Sequence, residues 1–152
     1  MSDKLIKFIS SFGYAGYFPV ASGTFASAVG LVLCYFLHEN LTAYSIVFVI
    51  ITALGFLYSG QMERIEGQKD PSAVVIDEIS GIMISFYMIP FTSWAVVLTT
   101  FFLFRACDMF KVYPAGKFEA IKGGPGIMLD DIVAGIYTNL AMQIAIRFTG
   151  IY

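Results

Sequence analysis

Apolar residues gather in five runs, at 25–37, 43–58, 71–89, 95–108 and 127–148, with short polar breaks between them. Each run reads as a helix. The breaks fit that reading. His38–Glu39–Asn40 is a turn, Pro90 ends the third helix, Phe91–Thr92–Ser93 turns the chain, and Gly123–Gly124–Pro125–Gly126 precedes the fifth. Pro71 is expected to open the third helix with Asp70 as its cap, and Ser22 or Thr24 to cap the first. Ahead of the runs, residues 1–12 set Leu5, Ile6, Phe8, Ile9 and Phe12 around Lys4 and Lys7. That is the pattern of a short amphipathic helix lying on a membrane surface. Gly13, Gly16 and Pro19 break it too early for a signal peptide.

Composition turns five helices into a membrane reading. The chain of 152 residues has room for one domain, 1–152, and is 58% hydrophobic but only 13% charged. Soluble domains average roughly 45–50% and 25%. The expected fold is all-α: a polytopic helical membrane bundle of about five spanning helices plus an N-terminal interfacial helix. Several runs fall short of the ~20 residues a spanning helix prefers, so a soluble all-α protein built on a buried central helix is the alternative. With the N-terminus cytoplasmic, Lys4, Lys7, Arg64, Lys69, Arg105, Lys111, Lys117 and Lys122 all fall on the cytoplasmic side, leaving Arg147 near the other face. A net charge of −2 argues against a nucleic-acid surface. Cys34 and Cys107 sit in apolar runs without a CxxC partner and His38 is the single histidine, which argues against zinc.

Acidic residues carry the candidate chemistry. Asp77–Glu78, Asp108 and Asp130–Asp131 are set into apolar sequence, and the topology gathers them at one end of the bundle. Carboxylates beside apolar runs need a compensating base, water or metal. Asp77 shares a helix face with Gly81, and Asp131 with Gly135; small residues let helices approach, so both faces are expected to point inward. Alone, Asp108 between Arg105 and Lys111 reads as an internal salt bridge, and Asp130–Asp131 in the first turn after the glycine loop as a dipole-favoured cap. Together, hard oxygen ligands without His or Cys select Mg²⁺, Mn²⁺ or Ca²⁺. Arg105, Lys111 and the helix start at Ser22–Gly23–Thr24 offer phosphate-binding groups, although a plain cap explains the last equally well. A metal beside phosphate ligands points to phosphoryl chemistry. The motifs of the haloacid-dehalogenase, cysteine and histidine phosphatases and of the CDP-alcohol phosphotransferases are all missing. A cation or proton transporter is the alternative function, but the outer half holds only Glu39 and Arg147. A structural subunit would leave the acids unexplained.

Four segments carry a family resemblance: Gly23–Thr24–Phe25–Ala26–Ser27; Lys69–Asp70–Pro71–Ser72 leading to Val75–Ile76–Asp77–Glu78–Ile79–Ser80–Gly81; Phe104–Arg105–Ala106–Cys107–Asp108–Met109–Phe110–Lys111; and Gly124–Pro125–Gly126–Ile127–Met128–Leu129–Asp130–Asp131–Ile132–Val133–Ala134–Gly135. In this order they resemble the phosphatidylglycerophosphatase A family. Val112–Tyr113–Pro114 departs from it, since the family often has proline directly after the lysine. The resemblance implies a Mg²⁺-dependent, multi-pass enzyme of the bacterial inner membrane that converts phosphatidylglycerophosphate to phosphatidylglycerol, with its active site on the cytoplasmic side. The family also has soluble all-α relatives built round a central helix. Membrane lipids and the lipid substrate are the expected partners; no protein partner is implied. Asp77, Glu78, Asp108, Asp130 and Asp131 are the expected metal ligands, with Glu63 a further candidate. Asp77, Asp108, Asp131 and Lys111 are the expected catalytic set, and Thr24, Arg105 and Lys111 the phosphate contacts. Either an activated water or a carboxylate, Asp131 or Asp77, serves as nucleophile.

Overall fold

The computed structural model describes residues 2–118 and 120–150, which form helices and no strand. The helices are α1 (Asp3–Ser10), α2 (Ser22–Leu37), α3 (Leu41–Glu66), α4 (Ile76–Phe86), α5 (Trp94–Phe110), α6 (Ala115–Phe118) and α7 (Gly124–Thr149). Their ends follow local chemistry. The Asn40 side chain accepts the Ala43 amide at 3.0 Å to open α3, and Gly67 closes it at φ +69°. Ser93 opens α5 by accepting the Val96 amide. Gly150 closes α7 at φ +68°.

Helices α2, α3, α5 and α7 pack around α4. Nine of its eleven residues are buried. Gly81 and Gly135 bring α4 and α7 to backbone contact: a Cβ on Gly135 would stand 2.5 Å from the Gly81 carbonyl oxygen. The inward faces expected from the glycine spacing are therefore correct. Long-range contacts define two ends. At one, Lys7 pairs with Glu66, Ser22 meets Ser72 and Glu63 meets Gly123. At the other, Tyr44 donates to the Met83 carbonyl at 2.6 Å, and Asn139 donates to the carbonyls of Ser85 and Tyr87.

Several expectations need correction. The third helix does not run from 71 to 89. Asp70 adopts φ +46° and Pro71 lies in a turn closed by the Val74 amide. The Val75 amide goes to Ser10 and the Ser72 carbonyl to Ser22, so distant partners satisfy backbone that a longer helix would have paired internally. With 11 residues α4 is only ~16 Å long, too short to cross alone. Among the described residues one helix, Leu41–Glu66, is long and apolar enough to cross a membrane. No side chain caps α2, whose first residue follows Ala21 at φ +49°. Helix α7 starts at Gly124, which places Asp130 and Asp131 beyond its first turn and removes the capping explanation for them.

Candidate active site

Three helices deliver the carboxylates to one cavity of about 250 Å³. Asp77 and Glu78 stand in the first turn of α4, Asp108 near the end of α5, and Asp130 and Asp131 in the second turn of α7. Asp77, Glu78 and Asp131 each offer an oxygen, and those oxygens lie within 4.8 Å of one another. Asp77 is only 7% exposed and Asp131 only 3%. Asp77 lies against Glu78, and Asp131 against Asp108. Asp77 Oδ1 and Glu78 Oε2 are buried without a hydrogen-bond partner. Orphaned, crowded carboxylate oxygens are costly in a protein interior. A hard divalent cation satisfies them, and an all-oxygen donor set is what Mg²⁺ prefers. The residues fit the ion.

The remaining two acids carry cations of their own. Arg105 Nη1 lies 2.6 Å from Asp108 Oδ2, the salt bridge that i,i+3 spacing allows. Lys111 is not a further turn of α5. It ends that helix at φ +46° and reaches across to α7, where its Nζ sits 3.0 Å from Asp130 Oδ2. It lines the carboxylate cavity from there. Thr24 is exposed on α2 and lies outside the cavity, whereas its neighbour Ser22 is part of the wall.

Glu63 is not brought into the cluster. Its carboxylate accepts the Asp70 amide at 3.2 Å and the Gly123 amide at 3.0 Å, tying together the loop before α4 and the start of α7. Gly23 is the residue whose role the sequence reading missed. A Cβ there would collide with Glu78 Oε1, so glycine is what lets the start of α2 close over that carboxylate. The positive end of the helix then faces the anion. Its place in the motif Gly23–Thr24–Phe25–Ala26–Ser27 was the available signal. Ser27 also contributes: it donates to the Gly23 carbonyl at 2.8 Å and accepts from Arg105 Nη1 at 3.4 Å. Arg105 is thereby held between α2 and Asp108.

The sequence profile of phosphatidylglycerophosphatase A matches residues 8–146. A phosphatidylglycerophosphatase A of Haemophilus influenzae is 38% identical over 133 residues, covering 84% of this chain and 80% of that protein. The phosphatidylglycerophosphatase A of Escherichia coli is 34% identical over 126 residues, 80% and 72% of the two chains. A Bacteroides thetaiotaomicron protein provisionally named a phosphatidylinositol-3-phosphatase is 30% identical over 138 residues, 88% and 86%. No solved structure matches the chain.

Proposed function

Because the chain belongs to the phosphatidylglycerophosphatase A family and is a phosphatase, we propose that it removes the terminal phosphate of phosphatidylglycerophosphate in a Mg²⁺-dependent reaction at the cytoplasmic face of a membrane. The observation that carries this reading is the convergence of Asp77, Glu78 and Asp131, two of them with orphaned buried oxygens. Those three residues would hold Mg²⁺, with Asp108 and Asp130 close by. Bound there, the ion supplies positive charge against the phosphate and makes a water more acidic.

The chain's own groups do the rest. Lys111 Nζ donates to a phosphate oxygen as a point charge, and Asp130 holds that ammonium in place. Arg105 fixes Asp108 beside Asp131, so the anionic wall keeps its shape while the substrate changes. Glu63 holds both loops that deliver the acids.

The membrane reading rests on the exterior. Phe36 on α2, Leu57 on α3, Phe102 on α5 and Phe148 on α7 are all more than 60% exposed. Apolar side chains thus point outward from all four helices that surround α4, which suits lipid better than water. Helices α2, α3, α5 and α7 would cross with α4 enclosed among them, residues 76–93 would carry the chain from the charge-rich end to the other, and the charge-rich end would face the cytoplasm.

Purified protein should release phosphate from phosphatidylglycerophosphate with Mg²⁺ and lose that activity in excess EDTA. Full turnover with EDTA present would remove the metal from the reading. No release under any metal condition would remove the substrate.

A further inference from the structure

A second cavity, about 820 Å³, is lined by residues of α1, of α3 and of the start of α7, and shares no lining residue with the carboxylate cavity. Its walls carry two cations, Arg64 and Lys122, and two acids, Asp3 and Glu63. The acids are already compensated. Glu63 accepts the amides of Asp70 and Gly123. Asp3 stands in the first turn of α1, the positive end of that helix. The two cations are exposed, and among the described residues no ion pair holds either. Positive charge is thus left over in the wall, and an anion from outside the chain would match it.

The same cavity has an apolar side, to which Phe56 and Leu57 belong. Beyond it, Ile46, Ile50, Leu57 and Arg64 recur at i, i+4, i+11 and i+18, which puts them on one side of α3. The three apolar members are each more than half exposed. Leu57 lies ~10 Å along the helix axis from Arg64, and Ile50 ~21 Å. That span is about the depth of one leaflet counted from its headgroups, ~20–22 Å. A soluble anion would use the cations and leave this stripe idle, whereas a lipid uses both. We propose that the cavity holds an anionic phospholipid of the surrounding bilayer, bound beside the reaction and not consumed by it. Its headgroup phosphate lies on Arg64 and Lys122, and an acyl chain runs along Leu57 and Ile50. The proposal rests on the membrane placement above and not on the reaction.

Native mass spectrometry of metal-free protein in a neutral detergent tests it, with phosphatidylserine and phosphatidylcholine as probes. Both are phosphodiesters, and only the first carries a net negative charge. Each cation near an anionic headgroup is worth about fivefold in affinity. Wild type should therefore bind phosphatidylserine roughly ten- to thirtyfold more tightly than phosphatidylcholine. Arg64→Gln and Lys122→Gln should each lose about fivefold of that preference. Lys117→Gln, which removes an exposed cation outside the cavity, should keep it within about twofold. Asp3→Asn removes an opposing charge and should raise it. A melting curve for each variant checks the fold, and the Asp3 arm tests the same site by gain. Equal losses in all three cation variants would make the preference a property of the whole surface and overturn the site. No preference in wild type, or a lower one in Asp3→Asn, would overturn it too. Those results leave the membrane placement standing. Recovery of the chain in water without detergent, with neither lipid retained, would overturn the placement and the site together.

Discussion

Asp77 and Asp131 are the residues on which the metal reading turns, and they report on it twice. Asp77→Asn and Asp131→Asn keep shape and remove an anionic ligand, so each should abolish turnover. In metal-free protein the same changes relieve repulsion among crowded carboxylates and should raise thermal stability. The gain should be about 2–4 °C for each kcal/mol relieved. Differential scanning fluorimetry with and without Mg²⁺ checks this; a fall in metal-free stability would make the pair structural. Lys111 tests the other half of the site. Lys111→Ala should lower kcat/KM by roughly ten- to a hundredfold, the loss of a charge-assisted bond of about 1.5–3 kcal/mol. Mg²⁺ affinity should change little. Lys111→Arg should also be impaired, since a planar fork does not replace a point charge at a fitted position. Wild-type turnover by the arginine variant would reduce Lys111 to a membrane-surface anchor.

Among the elements, the α4–α7 crossing governs the site. Gly135→Ala drives a Cβ toward the Gly81 carbonyl and Ile84, an overpacking that costs about 1–3 kcal/mol. It should also move Asp131 relative to Asp77, so Mg²⁺ affinity should fall along with stability. Isothermal titration of Mg²⁺ beside a melting curve separates the two effects, and unchanged affinity in a destabilised variant would show the spacing is set elsewhere. The inward faces of this crossing were legible because spacing alone placed Asp77 with Gly81 and Asp131 with Gly135; that the two glycines meet each other was not. The start of α4 was not legible. Pro71 after Asp70 looks like a helix opening, but Ser10 and Ser22, some fifty or more residues away, take up that backbone. The partner of Lys111 was not legible for a similar reason: its left-handed backbone turns it to Asp130 on another helix, which no local periodicity records. Glu63 read as a ligand because it is acidic and near the cluster; two backbone amides claim it instead.

At the scale of the whole molecule, the grouping of charge at one end was readable from topology and charge alone. The enclosure of α4 was not, because a continuous apolar run looks the same whether lipid or protein surrounds it. Reporter fusions should place Asn40 and Thr92 outside and Gly67 and Lys117 inside. Recovery of the chain in water without detergent would favour the soluble architecture instead. The end opposite the carboxylates is tied together by Tyr44 on Met83 and by Asn139 on Ser85 and Tyr87. Taken with the proposed orientation, the carboxylate cavity would open to one aqueous compartment. Cation would enter and inorganic phosphate would leave through that compartment, while the lipid would come and go sideways. Turnover would then move no charge from one side of the membrane to the other. In that orientation its rate would answer to the ions of the cytoplasm and not to the voltage across the bilayer.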